Sequence, residues 1–374
     1  MKILHIGAAD SSGGVLNYIQ TLEKHSNSKL FKFHRLVSLQ SLKTLERDGF
    51  TLHEGDINYK ILTLFSCAKD LRALLKKEAF DVVHLHATRA GLVGCLAAQG
   101  LSVRVLYTGH GFCFEGKRSI FSYFIWRQFE KYILKLADLT TFLSNREASF
   151  ALKHSLISPG KIRVINTRID LAPLDSQNTE IMGKVYNDYD INKGSFIVGS
   201  VGSLDERKDP FSFIHIAYKV IKENPNSCFI WIGGGELYKD AVDLVKKMGM
   251  SRHIIFIGQV SHEKVPFFLE AFDVFLLTSK HEALPLCVLE ANAFKIPVVS
   301  AAYPGVEAVI DNGATGYVFP INDHSCASSC IELLRDDHNA NKISENAFDV
   351  YCAIHYDSSI MAKQYCTIYD ELTA

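Results

Sequence analysis

Proline is scarce in this chain, and nowhere in its 374 positions do eighteen apolar residues run together. The scarcity of proline, with 48% hydrophobic and 22% charged residues, excludes a disordered or low-complexity protein. The lack of a long apolar run excludes a membrane-spanning helix. The 9 cysteines are odd in number and scattered without paired spacing, which argues against a disulfide framework and for a reducing compartment. Cys326 and Cys330 lie four apart, but no matching Cys or His pair follows to complete a zinc site. No cluster reads as a metal cage and no inverting-type DxD motif serving a divalent cation is evident, so the expectation is a protein without cofactor or metal. Met1–Gly7 (MKILHIG) is too short for a signal-peptide core, and the expected location is the cytoplasm.

What is present is alternation. Lys2–Ile6 reads as a buried strand, Ala8–Gly14 as a glycine-bearing loop and Val15 to about His25 as a helix. Apolar runs follow at Val82–Leu85, Val103–Thr108, Leu139–Leu143 and Ile162–Ile165, with helical patterns between them at Ala68–Glu78 and Ile125–Leu136. The polar stretch Asp170–Lys193 interrupts this series and suits a linker. A second series then runs through Phe196–Gly202, Cys228–Ile232, Ile254–Ile257, Val274–Leu277, Pro297–Ser300 and Gly316–Phe319. The reading is an α/β protein of two doubly wound, Rossmann-like domains, residues 1–172 and 173–354, facing each other across a ligand-binding cleft. Charge is divided between the halves. Residues 1–174 carry 24 Lys+Arg against 14 Asp+Glu, and residues 175–374 carry 16 against 27. The basic half is the one expected to meet an anionic surface or ligand.

The most specific stretch is Ser279–Ser300, SKHEALPLCVLEANAFKIPVVS. Glu282 falls in a loop after a buried strand, and Glu290 lies in the helix that begins near Leu286. A carboxylate so placed can accept hydrogen bonds from both hydroxyls of a ribose, while the N–H groups of the helix start face a phosphate. A second constellation, Val201–Pro210 (VGSLDERKDP), sets Arg207 and Lys208 just before a helix, where cations can neutralise a departing diphosphate. Gly13 and Gly14 sit at the first strand–helix turn, where bare backbone can approach a phosphate, although such pairs also serve plain turns. His110, in TGHGF, ends an apolar strand between glycines and so points towards a cleft.

These features resemble family 4 retaining glycosyltransferases of the GT-B fold, with their E-x7-E signature, over nearly the whole chain, and most resemble bacterial enzymes of capsule, O-antigen and lipid-linked glycan assembly. The resemblance implies catalytic roles for Glu282, His110 and Lys208, with Glu282 and His110 on the donor sugar and Glu290 on the nucleotide ribose. It adds Gln259 and Val260 near the base, and Gly305 and Val306 near sugar and phosphates. His84 and His86, at the end of another strand, are candidates for the acceptor side. The family usually carries an arginine where Ser203 stands, which leaves open whether Arg207 takes its place. The resemblance further implies that the apolar-faced helix of about 355–374 packs back on the first domain. The expected reaction moves a hexose or N-acetylhexosamine from a UDP-sugar to a polyprenyl-diphosphate-linked glycan, with nucleic acid excluded as a partner. The basic aromatic segment Gly116–Lys135, with Lys117, Arg118, Arg127 and Lys131, reads either as a contact with the inner face of the cytoplasmic membrane or as an ordinary amphipathic helix. Two other readings fit the same scaffold: a nucleotide-sugar epimerase or hydrolase, and a non-catalytic binding subunit.

Overall fold

The computed structural model describes residues 1–7, 14–27, 29–37, 51–54, 64–112, 119–170, 187, 191–192 and 194–374. The chain divides into two compact units, Met1–Arg168 with Asp357–Ala374, and Ile169–Tyr356.

The first unit is built on seven strands: β1 (Lys2–Ile6), β2 (Lys32–Val37), β3 (Thr51–Glu54), β4 (Val82–His86), β5 (Arg104–Gly109), β6 (Leu139–Phe142) and β7 (Ile162–Val164). They lie in the order β3-β2-β1-β4-β5-β6-β7, all parallel. Helices cover the sheet, which is why β1, β4 and β5 are apolar with little alternation. The sequence pattern misses β2 and β3. In β2 the apolar run is broken by His34 and Arg35, yet both are buried, and Arg35 is held by the carboxylate of Glu23 from the helix Gly14–His25. A buried ion pair thus stands where periodicity expects hydrocarbon.

The last helix, Ser358–Thr373, starts at Asp357, whose side chain accepts from Ser359 N at 3.0 Å. Met361, Tyr365, Ile368 and Tyr369 repeat at helical spacing and are buried, whereas Ile360 turns to solvent. The helix packs on the helix Gly14–His25 and on β4, and Tyr18 Oη donates to Tyr365 Oη at 2.7 Å.

Within this unit Glu130 is fully buried, accepting from Tyr107 Oη at 2.6 Å and Thr88 Oγ1 at 2.9 Å. Burial pushes its carboxyl up to about 7, with the two hydrogen bonds offsetting part of the effect. The folded value exceeds the ordinary 4.5, so between these limits the native state binds more protons and stability falls as pH rises. Glu130→Gln should flatten that fall, which amounts to on the order of 3 kcal/mol between pH 4.5 and 7. Urea midpoints at pH 5 and 8 read this difference; parallel profiles for wild type and variant would refute it.

The second unit carries six parallel strands: β8 (Phe196–Val201), β9 (Ser227–Ile232), β10 (Ile254–Gly258), β11 (Val274–Leu277), β12 (Val298–Ala301) and β13 (Tyr317–Phe319), ordered β10-β9-β8-β11-β12-β13. The helix Pro210–Glu223 begins on Asp209, which adopts a left-handed φ of 52° and caps Ser212 N, with Pro210 in the first turn. Its Phe213 meets Trp231 and Phe229 edge-on at 5.0 and 5.5 Å, anchoring the helix to β9. The order reverses about β8, so the loops after β8 and β11 emerge side by side at the strand C-termini, where open α/β sheets bind ligands.

Candidate active site

Those two loops hold a buried charge cluster. Glu282, 7% exposed, accepts from Arg207 Nη1 on Oε2 at 2.8 Å and from Ser279 Oγ on Oε1 at 2.7 Å, and Lys208 Nζ lies 2.7 Å from Oε1. Local backbone fixes Lys208: Thr278 Oγ1 donates to its carbonyl at 2.8 Å, and its N–H donates to Asp205 Oδ1 at 2.9 Å. Glycine makes the room. A Cβ on Gly202 would come within 2.9 Å of Lys208 Cε, and one on Gly233, at φ 139°, would lie 2.0 Å from the Gly202 carbonyl oxygen. Trp231 Nε1 donates to that same oxygen at 2.9 Å, tying the loop to the core.

Burial alone would raise the Glu282 carboxyl and lower the Lys208 ammonium. Their mutual attraction outweighs it, with Arg207 and Ser279 helping Glu282, so Glu282 lies below and Lys208 above its ordinary value. Both are therefore ionised through neutral pH. Ser203 is exposed and donates to Asp205 Oδ2 at 2.6 Å, and the guanidinium that reaches Glu282 comes from Arg207.

Beyond Glu282, the helix Leu286–Ala293 starts after Pro285 without a side-chain cap, so its leading N–H groups have no side chain to serve them. Glu290 lies on this helix, with Oε1 2.8 Å from Nε2 of His262. His262 follows Gln259 and Val260 in the turn after β10, and the hydrogen bond to Glu290 raises the imidazole above its ordinary value against burial. Gln259 stands beside Gly234, where a Cβ would sit 3.6 Å from that of Gln259. Gly305, at φ 99°, opens a short 3-10 turn with Val306 after β12, at the same end of the sheet. Sequence reasoning did not find His262 or Ser279; their proximity to Val260 and Glu282 was the available signal.

The first unit places its candidates differently. His84 and His86, the acceptor-side candidates, are wholly buried. Parallel β strands covered on both faces bury even their polar residues. His84 lies 2.8 Å through Nδ1 from Tyr369 Oη and 2.6 Å through Nε2 from Thr108 Oγ1, and His86 lies between His5 and His110. His110 is half-buried after β5. Gly14 is exposed at the start of its helix, and Gly13 lies outside the described residues.

Residues 12–173 match the family described as Glycosyltransferase Family 4, and residues 184–350 match Glycosyl transferases group 1. The chain belongs to the family 4 glycosyltransferases of the GT-B fold.

This glycosyltransferase is 29% identical over 294 residues, 75% of its length and 74% of the relative's, to the Escherichia coli UDP-Gal:alpha-D-GlcNAc-diphosphoundecaprenol alpha-1,3-galactosyltransferase. It is 26% identical, over 99% of both chains, to an uncharacterized 41.2 kDa protein in the cps region of Klebsiella pneumoniae. Its fold matches the Thermosynechococcus elongatus sucrose-phosphate synthase with a TM-score of 0.84 at 19% identity, covering 99% of this chain and 98% of that one. It also matches Anabaena HepE in complex with UDP-glucose, at 0.78 and 17%, covering 99% and 100%.

Of the glycosyltransferase's basic aromatic segment, Lys117 and Arg118 lie outside the described residues. Arg127 is part-buried and donates to the His154 carbonyl at 3.2 Å. The helix Ile120–Leu136 instead exposes one stripe, with Ile120, Phe121 and Phe124 in its first half and Lys131 and Lys135 in its second. Among the described residues no helix is long and apolar enough to cross a membrane.

Proposed function

We propose that this glycosyltransferase moves a hexose or N-acetylhexosamine from a UDP-sugar to a polyprenyl-diphosphate-linked glycan, retaining the configuration at the transferred carbon. The second domain binds the donor and the first the acceptor. The observation that carries the reading is the cluster of Glu282, Arg207 and Lys208 beside the uncapped helix that bears Glu290. As the glycosidic bond breaks, negative charge grows on the diphosphate, and two cations with a helix N-terminus stabilise it without a metal. Glu282 has both oxygens engaged and stays ionised below its ordinary value, which suits contact with the sugar better than proton abstraction. The leaving phosphate then assists deprotonation of the acceptor hydroxyl on the same face, which gives retention. Glu290 binds the ribose, Gln259 and Val260 lie by the base, Gly305, Val306 and the Leu286 N–H by the phosphates, and Gly14 and His110 reach the donor from the first domain. The E. coli relative's name supports a UDP-sugar and a diphosphoundecaprenol-linked acceptor.

A panel of UDP- and GDP-sugars against short lipid-linked saccharides, with and without EDTA, tests the whole reading by mass spectrometry and anomeric NMR. Transfer from one UDP-sugar, insensitive to EDTA and with the configuration retained, is expected. Donor hydrolysis or epimerisation without transfer would overturn it.

The exposed stripe of the helix Ile120–Leu136 favours peripheral binding at the inner face of the cytoplasmic membrane. Three large apolar side chains, 84%, 76% and 58% exposed, adjoin two lysines, the pattern of a helix end that dips into an anionic interface. Ile120→Ser with Phe121→Ser and Phe124→Ser should cut partition onto phosphatidylglycerol vesicles at least tenfold, since each buried apolar side chain contributes about 1.5–3 kcal/mol. Equal co-sedimentation of variant and wild type would leave the stripe without this role.

A further inference from the structure

Four imidazoles crowd one corner of the first domain: His5 on β1, His84 and His86 on β4, and His110 after β5. Three of them form a row. His5 Nδ1 lies 3.0 Å from His86 Nε2, and His86 Nδ1 lies 3.2 Å from His110 Nε2. Ligand atoms of His5, His84 and His86 fall within 4.8 Å of one another, as a metal site would require. Both nitrogens of His84 are already engaged, however, by Tyr369 Oη and the Thr108 hydroxyl, and the latter belongs to a chain that continues to Thr141, Tyr365 and Tyr18. A metal would have to break that chain, whereas a hydrogen-bonded row uses every contact as it stands.

Each neutral imidazole has one donor nitrogen and one acceptor. Burial, aided at His5 by the charge of Arg35 and at His86 by the neighbouring histidines, holds all three far below the ordinary value, His5 at about 3 and His110 at about 4, so all are neutral at pH 7. The row then has two self-consistent states. In one, His5 Nδ1–H donates to His86, and His86 Nδ1–H donates to His110 Nε2, which places the last proton on His110 Nδ1. In the other every proton is reversed, and His5 Nε2 must carry a hydrogen. His5 Nε2 is buried without a partner among the described residues. A bare lone pair there is tolerable, but a buried N–H with no acceptor is the costlier orphan. The first state wins. No ring can switch alone, because that would set two N–H groups or two lone pairs against each other.

We propose that His5 and His86 are positioning residues that lock His110 as its Nδ1–H tautomer, so that His110 meets its ligand as a hydrogen-bond donor. Its Nδ1 has no protein partner among the described residues and, unlike His5 Nε2, is not a buried unpaired atom. The complementary ligand group is an oxygen acceptor, a hydroxyl or ring oxygen of the donor sugar. That identification rests on the proposed contact of His110 with the donor; the locked tautomer does not.

Histidine-selective 15N labelling with two-bond 1H–15N correlation at pH 7 reads the tautomer, with the His110 signal assigned by its loss in His110→Ala. Wild type should show Nδ1–H. His5→Asp sets an acceptor where the first donor stood and should convert His110 to Nε2–H, lowering kcat/KM for the donor about tenfold. The acceptor KM should not move. His5→Asn, whose amide can donate to His86, should keep the wild-type signal and rate. An Nε2–H tautomer in wild type, or an unchanged signature in His5→Asp, would overturn the proposal. If His5→Asp does not fold, the wild-type spectrum and His5→Asn still decide it. Unchanged donor kinetics in His110→Ala would remove the sugar contact alone, leaving the spectra to judge the row.

Discussion

Lys208→Met should lower kcat by about 10²–10³ while changing the donor KM far less, the pattern expected when a group meets charge that develops only in the transition state. Lys208 is buried against Glu282, so its loss is not screened by water as a surface lysine's would be. Arg207 makes the same carboxylate contact from a half-exposed position, and Arg207→Met should cost less. The pair also has a pH signature. In wild type Glu282 holds Lys208 above its ordinary value, so the ammonium persists through the working range and is lost only as pH rises through that raised value. Glu282→Gln removes the attraction and leaves burial, which favours neutral lysine, so activity should acquire an alkaline limb at lower pH than in wild type. Steady-state kinetics from pH 6 to 10 on both variants, with circular dichroism to confirm folding, checks this. A kcat for Lys208→Met within threefold of wild type would remove Lys208 from the chemistry.

The sequence made the strand–loop–helix frame around Glu282 and Glu290 visible because each part is local: an apolar run, a proline, a helix with a buried face. The long-range partners were not. Arg207 and Glu282 are 75 positions apart, and only the side-by-side exit of the loops after β8 and β11 joins them. Nothing in residue types distinguishes an arginine that pairs with a distant carboxylate from one that faces solvent. The surroundings of the buried polar residues of the first domain were hidden for the opposite reason. Arg35, His84 and His86 look like surface or ligand groups in any pattern that equates burial with hydrocarbon, yet each is satisfied by a partner from another element. The final helix was legible from its tyrosines as an apolar face, but that Tyr365 and Tyr369 use their hydroxyls in the histidine corner is a fact of packing.

Glu290 and Glu282 should separate cleanly in binding, because UDP shares base, ribose and phosphates with the full donor and lacks only the sugar. Glu290→Ala should weaken UDP and UDP-sugar by the same factor, about 10–100-fold, as expected for losing hydrogen bonds to a charged acceptor. Glu282→Ala should weaken the sugar nucleotide more than UDP. The geometry permits the ribose contact: one Glu290 oxygen meets His262 at 2.8 Å, and the carboxylate keeps further lone pairs for hydroxyls. His262 supplies an internal check. Its hydrogen bond to Glu290 holds it above its ordinary 6.5, so the stabilisation it contributes is complete below 6.5 and disappears as pH rises through the folded value. In Glu290→Ala the His262 titration should fall back, which NMR would follow directly. Calorimetric titration of UDP and of the UDP-sugar into each variant at pH 7.5 measures the two factors. If Glu290→Ala spares UDP while weakening the sugar nucleotide, the two carboxylates have the reverse of the roles assigned to them, and the ribose must be held elsewhere.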